Sequence, residues 1–264
     1  DLHTMALVGN DGSIDWLCLP RFDSGACFAK LLGTDEHGFW RLAPAGAERC
    51  TRRQYRDDSL ILETEWETPE GSVRVIDLMP VRDQAADVVR IVEGLTGRVR
   101  MHTDLRLRFD YGHIIPWVRR DGHQLSAIAG PDSVWLDTPV EVHGHDLMTS
   151  AEFDVVAGDR VPFVLTHHPS HEPEPTRRDP ERVLARTEEF WAEWTSHLSY
   201  DGGWPEAVRR SLVTLKGLTY APSGGIVAAA TTSLPEDLGG SRNWDYRYCW
   251  LRDATFTLQA LLGT

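Results

Sequence analysis

Lysine is nearly missing from this 264-residue chain: only Lys30 and Lys216 are lysines, and arginine carries almost all the positive charge. With 40 acidic residues against 27 basic ones, the formal net charge is −13. That balance argues against nucleic acid and anionic membrane surfaces, which need clustered positive charge, and suits a neutral substrate. Cysteine is scarce too. Cys18, Cys27, Cys50 and Cys249 are irregularly spaced and no pair resembles a zinc knuckle. They read as buried thiols rather than a disulfide framework. No apolar run approaches the roughly 20 residues of a membrane-crossing helix. There is no basic-then-apolar leader and no N-x-S/T sequon, so the cytoplasm is the expected location. The chain opens on Asp1 rather than methionine, which leaves room for an upstream piece. A glycine-rich phosphate loop and a nucleophile-elbow serine are also lacking.

What is present has the make-up of a soluble globular protein, 41% apolar and 25% charged, long enough for one large domain or two ordinary ones. Residues 1–170 read as a succession of short strands. Ser13–Leu19 follows an Asn-Asp-Gly turn, with Ile14, Trp16, Cys18 and Pro20 expected on one face. Leu60–Glu67 and Val73–Met79 flank TPEGS, a hairpin connector. Val88–Leu95 and Arg98–Phe109 follow. In the second, Val99, Met101, Thr103, Leu105, Leu107 and Phe109 alternate with polar residues. Further strands are expected over His113–Arg119, Gln124–Ile128, Ser133–Leu136, Leu147–Val156 and Val161–His167. Without intervening helices these form an antiparallel sandwich and not a parallel sheet.

From His168 to Asp179 the chain turns to proline and charge, the composition of a linker. Asp179-Pro180 then opens a helix, an N-cap followed by proline at the first position. Val183, Thr187, Phe190, Trp191, Trp194 and Leu198 recur at helical spacing. A second helix is expected from about Trp204 to Tyr220, with Val208, Leu212, Leu215 and Thr219 in one stripe. A third begins at Leu251 and is cut short by the end of the chain at Thr264. The expected division is 1–170 for the sandwich, 171–203 for linker and linker helix, and 204–264 for the start of a helical domain.

The chemistry concentrates in residues 239–254, GGSRNWDYRYCWLRDA. Trp244, Tyr246, Tyr248 and Trp250 are interleaved with Arg242, Asp245, Arg247, Arg252 and Asp253. A sugar offers an apolar C–H face to an aromatic ring and a rim of hydroxyls to hydrogen-bonding side chains. An adjacent arginine and aspartate supply the donors and acceptors for that rim. Arg252 and Asp253 fall in a first helical turn, where free N–H groups and the helix dipole favour a charged, accepting carboxylate. The same composition also suits a buried plug with an internal ion pair, stacking on nucleic acid, or a protein-binding hot spot.

NWDYRYCWLRDA, preceded by TLKGLTYAPSGGIVAAATTSLPEDLGG, resembles the start of the catalytic domain in glycoside hydrolase family 15, the glucoamylases, glucodextranases and related bacterial trehalases. ALVGNDGSIDWLCLPRFDSGACFAKLLG resembles the amino-terminal domain of the trehalase-like members. The resemblance implies an antiparallel super-sandwich followed by a barrel of six helix pairs, of which this chain holds only the beginning. It implies inverting hydrolysis with two glutamates, both beyond Thr264, so no catalytic residue is expected within the chain. The positions matching sugar-binding residues are Arg252, Asp253, Trp250 and Tyr246. Arg242, Asn243, Trp244, Asp245, Arg247 and Tyr248 are expected to shape the loop.

Within the chain Asp253 is no strong candidate for proton transfer, because a carboxylate beside a cation makes a poor general acid. Glu236 and Asp237 read as solvated loop acids. His143-Gly-His145-Asp146 and the cluster His167, His168 and His171 read as surface histidines, since neither recruits the three or four converging ligands of a metal site. No metal, cofactor, nucleic acid or membrane partner is expected. The functional expectation is the amino-terminal part of a hydrolase releasing glucose from an α-glucoside. Trehalose comes first and an α-glucan or isomalto-oligosaccharide second. A non-catalytic sugar-binding or regulatory protein and a phosphorolytic enzyme are the rivals.

Overall fold

The computed structural model describes residues 1–121, 124–233, 236–237 and 239–263. Leu234, Pro235 and Leu238, from a stretch quoted above, and Thr264, the expected end of the third helix, lie outside the described residues. The strands are β1 (Leu7–Val8), β2 (Ser13–Cys18), β3 (Ala26–Phe28), β4 (Phe39–Pro44), β5 (Arg52–Tyr55), β6 (Leu62–Thr68), β7 (Gly71–Leu78) and β8 (Ala86–Arg106). They continue as β9 (Trp117–Asp121), β10 (Gln124–Ala129), β11 (Asp132–Asp137), β12 (His143–His145), β13 (Met148–Val156) and β14 (Arg160–Pro169). Helices α1 (Pro180–Ser196) and α2 (Pro205–Gly217) come next. The pair β15 (Thr219–Tyr220) and β16 (Gly225–Ile226) leads to helix α3 (Leu251–Leu262).

The two strands expected over 88–95 and 98–109 are one. β8 runs for 21 residues and serves two sheets. Its first half pairs with β7 and β14 in the order β5-β6-β7-β8-β14-β11-β10-β9. Its second half pairs with β4 and β13 in the order β1-β2-β4-β8-β13-β12. Every named strand pairing among the described residues is antiparallel. The fold is thus a sandwich whose sheets share one bent strand, followed by three helices.

Glycine makes the bend possible. Gly97 has φ +60, and a Cβ there would lie 2.0 Å from the Glu70 carbonyl oxygen, an approach no side chain tolerates. Gly97→Ala is therefore expected to destabilise the sandwich by at least about 2 kcal/mol, from left-handed strain plus the clash. Thermal unfolding reads this directly, and an unchanged melting temperature would refute it.

Burial along β8 follows from what covers each half. Beyond the bend it alternates as expected: Val99, Met101, Thr103 and Leu105 are buried, and Leu107 and Phe109 continue the series. Before the bend nearly every residue is buried, because α1 lies on the outer face. There Val89 and Ile91 pack with Ile61, Ile76, Leu78, Val164 and Leu184, while Val88 and Val92 face the sandwich interior. Arg90 points into that interior and is fully buried. Its Nε donates to Asp77 Oδ1 at 2.7 Å, and its Nη1 and Nη2 donate to the carbonyls of Trp40 at 2.8 Å and Gly12 at 2.7 Å. Asp77 is its cross-strand neighbour on β7, whereas Trp40 belongs to the other sheet. One guanidinium therefore ties the two sheets together.

Some expectations shift. Ile14, Trp16 and Cys18 do not share one cluster. Ile14, Leu17 and Leu19 enter the main core, while Trp16 and Cys18 pack with Ala26 and Ala29. The register of β2 slips against both β1 and β3, which breaks the alternation. The strand expected at His113–Arg119 begins only at Trp117, because Asp110 and Tyr111 turn the chain in left-handed conformations. Helix α1 starts as read: Asp179 accepts from the amides of Glu181 and Arg182 at 3.1 and 3.3 Å, with Pro180 following. Helix α2 stops at Gly217 rather than Tyr220, because Thr219 and Tyr220 pair with Ile226 and Gly225. No described helix is long and apolar enough to cross a membrane.

Candidate functional site

The 239–254 stretch does not hang free. Residues 227–233 run antiparallel to 244–249, through bridges Val227↔Cys249 and Thr232↔Asp245. The amides of Ala228, Ala229 and Ser233 donate to the carbonyls of Tyr248, Tyr246 and Trp244 at 3.1, 2.9 and 2.7 Å. The Ser233 hydroxyl accepts from the Trp244 amide at 2.7 Å. This ribbon delivers the chain to Trp250, the N-cap of α3.

Trp250 holds its ring in place by donating Nε1 to the Asp245 carbonyl at 3.0 Å. Tyr246 meets it edge-on, with centroids 5.6 Å apart and planes at 75°, and Trp244 does so at 6.2 Å and 84°. Tyr246 and Trp250 are half-buried, so part of each side chain stays accessible. One turn on, Arg252 Nη2 lies 3.5 Å from Asp253 Oδ2, with the side chains 77% and 37% exposed. The four expected sugar-binding residues thus form two pairs at the mouth of α3. Among the described residues no hydrogen bond links one pair to the other. Aromatic rings of this kind can stack on a pyranose, and an exposed arginine–aspartate pair can bond its rim hydroxyls.

Arg247, expected only to shape the loop, is its buried anchor, 7% exposed. Its Nε and Nη2 donate to the two carboxylate oxygens of Asp245 at 2.9 and 2.7 Å. Its Nη1 donates to the carbonyl of Ser24 at 2.9 Å and reaches Phe22 O and Cys18 Sγ at 3.3 and 3.4 Å. Its guanidinium carbon stands 5.5 Å from the centre of the Tyr111 ring and 6.0 Å from that of Trp16. Trp16 adds a second tie, donating Nε1 to Ala230 O at 2.8 Å. Burial alone would raise the Asp245 carboxyl, but the Arg247 hydrogen bonds overcome it and hold the group below its ordinary range. Burial pushes the Cys18 thiol up to about 11, against the pull of Arg247, which leaves it protonated and inert at neutral pH. The sandwich residues in this joint went unread in the sequence. No local signal marks a contact between residues more than 200 positions apart.

Other expectations resolve one by one. Arg242 and Trp244 both engage Glu236, at 3.7 Å and 3.2 Å, so that loop acid is partnered. Cys18 and Cys27 are buried, but Cys50 is half-buried and Cys249 exposed, and none is in a disulfide. His143, His145 and His171 are exposed. His167 corrects the surface reading: β14 runs on to Pro169 and pairs with β11, which buries His167 with its Nε2 2.9 Å from Asp132. Burial lowers its pKa despite the opposing pull of Asp132.

Residues 1–191 match the family described as "Trehalase-like, N-terminal". The chain belongs to that family. Residues 205–264, which carry the aromatic ribbon and α3, match "Glycosyl hydrolases family 15". A trehalase of Mycolicibacterium smegmatis is 34% identical over an alignment 289 positions long, gaps included, covering 99% of this chain and 43% of the relative. A trehalase of Thermoplasma acidophilum is 32% identical over 262, covering 97% and 45%. The chain therefore spans less than half the length of these relatives. Among solved structures, a bacterial glucoamylase complexed with acarbose superposes with a TM-score of 0.59 at 12% identity, over 92% of this chain and 43% of that one. That likeness is one of fold.

Proposed function

We propose that this chain is the amino-terminal part of an inverting glycoside hydrolase that releases glucose from trehalose. The observation that carries the reading is the match to trehalases over 99% of the chain, sandwich and aromatic ribbon together. In this reading Tyr246 and Trp250 pack on the apolar face of the non-reducing glucose, while Arg252 and Asp253 bond its outer hydroxyls. Residues 1–170 form the sandwich domain, 171–203 the linker with its helix, and 204–264 the opening helix pair of an (α/α)6 barrel. The general acid and base are glutamates downstream of Thr264. The exposed Leu258 and Leu262 and the half-buried Leu261 on one side of α3, with Phe256 exposed on another, support this, since such apolar surface suits barrel neighbours. The substrate is a neutral sugar with no metal or cofactor. The net charge of −13 and the unpaired cysteines favour the cytoplasm over a nucleic-acid or membrane surface.

The test is product analysis with the full-length protein by proton NMR. Inversion at one carbon of α,α-trehalose should yield β-glucose and α-glucose in equal initial amounts, because the leaving glucose keeps its configuration. Residues 1–264 alone should release none. Glucose from isomaltose or starch but not from trehalose would move the substrate to α-glucans. Glucose 1-phosphate formed in phosphate buffer would make the enzyme phosphorolytic. Sugar binding without turnover would leave a binding protein.

A further inference from the structure

Among the ties between the sandwich and the aromatic ribbon is a buried cation, and its bonds reach the rings of the sugar site in two steps. Arg247 grips Asp245 with two nitrogens, at 2.9 and 2.7 Å, and the sandwich carbonyl of Ser24 with the third at 2.9 Å. Asp245 in turn receives the Trp250 indole on its own carbonyl at 3.0 Å, and Trp250 sets the edge-on Tyr246. We infer that Arg247 is a positioning residue through which the sandwich orients Tyr246 and Trp250 toward substrate, so that the sandwich is a working part of the sugar site. This rests on the proposed sugar-binding role of those two rings.

The guanidinium suits the task because its planar fork can satisfy a two-oxygen carboxylate on one edge and backbone carbonyls on the other. An ammonium keeps the charge but cannot hold both sides in one plane. The aromatic cage contributes as well: Tyr111 and Trp16 lie within reach of the cation, and Tyr111 Oη donates to Ser24 O at 3.4 Å. Tyr111 sits on the sandwich, with the Arg247 cation over its ring and Trp16 beside it, so its replacement perturbs the joint from the sandwich side. A purely structural ion pair would predict a different outcome, namely fewer folded molecules with unaltered substrate recognition.

The experiment exploits the fact that KM does not depend on how much of the enzyme is folded. In the full-length protein, Arg247→Lys is expected to raise KM for trehalose at least about fivefold, with kcat per folded molecule changed much less. Tyr111→Leu, the milder variant should the first not fold, is expected to raise KM roughly two- to fivefold. Tyr246→Ala is the control for the site itself and should raise KM more than either. If Tyr246→Ala raises KM but Arg247→Lys and Tyr111→Leu leave it within twofold while lowering only the melting temperature, the positioning role is overturned and the sugar site stands. If Tyr246→Ala also leaves KM unchanged, the sugar site falls and the inference with it.

Discussion

Asp77→Ala is expected to cost the sandwich about 3–5 kcal/mol, because it leaves the Arg90 guanidinium charged and uncompensated between two sheets. The Arg90 side chain is 0% exposed and that of Asp77 only 6%. Exposed pairs, such as Arg100 on β8 with Glu152 on β13 at 3.0 Å, should contribute far less, because water screens both charges. The contrast is itself informative. Replacing both partners, as Asp77→Leu with Arg90→Met, should recover part of the loss, since removing a buried pair together avoids stranding either charge. It should not recover all of it, because Arg90 also bonds carbonyls of Trp40 and Gly12 across the sandwich. Thermal unfolding of the two singles and the double gives the coupling. A single Asp77→Ala within about 1 kcal/mol of the parent would show that Arg90 can reach solvent.

Asp253→Asn in the full-length protein is expected to lower kcat/KM for trehalose roughly ten- to a hundredfold while leaving the fold intact. A charge-assisted hydrogen bond to a sugar hydroxyl is worth about 1.5–3 kcal/mol, and about 1.4 kcal/mol is one decade of rate. Arg252→Lys should fail to rescue its own site, because an ammonium lacks the two-pronged donor. Exposure separates this role from a structural one. With side chains 77% and 37% exposed and 3.5 Å apart, Arg252 and Asp253 contribute little to stability as a pair, so their loss should hardly move the melting temperature. Unimpaired kcat/KM in a folded Asp253→Asn protein would remove the residue from the site.

The sequence alone determined what depends on neighbours a few positions away. Asp179-Pro180 starts α1 because a carboxylate cap and a fixed φ act within one turn. TPEGS joins β6 to β7 because its proline and glycine favour a turn, and the alternation from Val99 to Phe109 marks a half-exposed stretch because side chains alternate across the pleat. The ribbon's composition raised sugar binding as one of several candidate roles for the same reason: its rings and charges lie close together in the chain.

Tertiary structure decided everything that depends on distant partners. Phe39–Pro44 carries no alternation, yet it is a central strand, because β2 and β8 flank it and both its faces are covered. Arg90 and Arg98 are both arginines on β8. One is buried and the other exposed, because the bend at Gly97 passes them to different sheets. Arg242 and Arg247 stand in one motif with like neighbours. Only Arg247 finds the carbonyls of Phe22 and Ser24 and the ring of Tyr111, brought to it by a sandwich built more than a hundred residues earlier. A guanidinium can be buried only where a carboxylate and backbone acceptors already converge, and that convergence belongs to the fold and not to the motif.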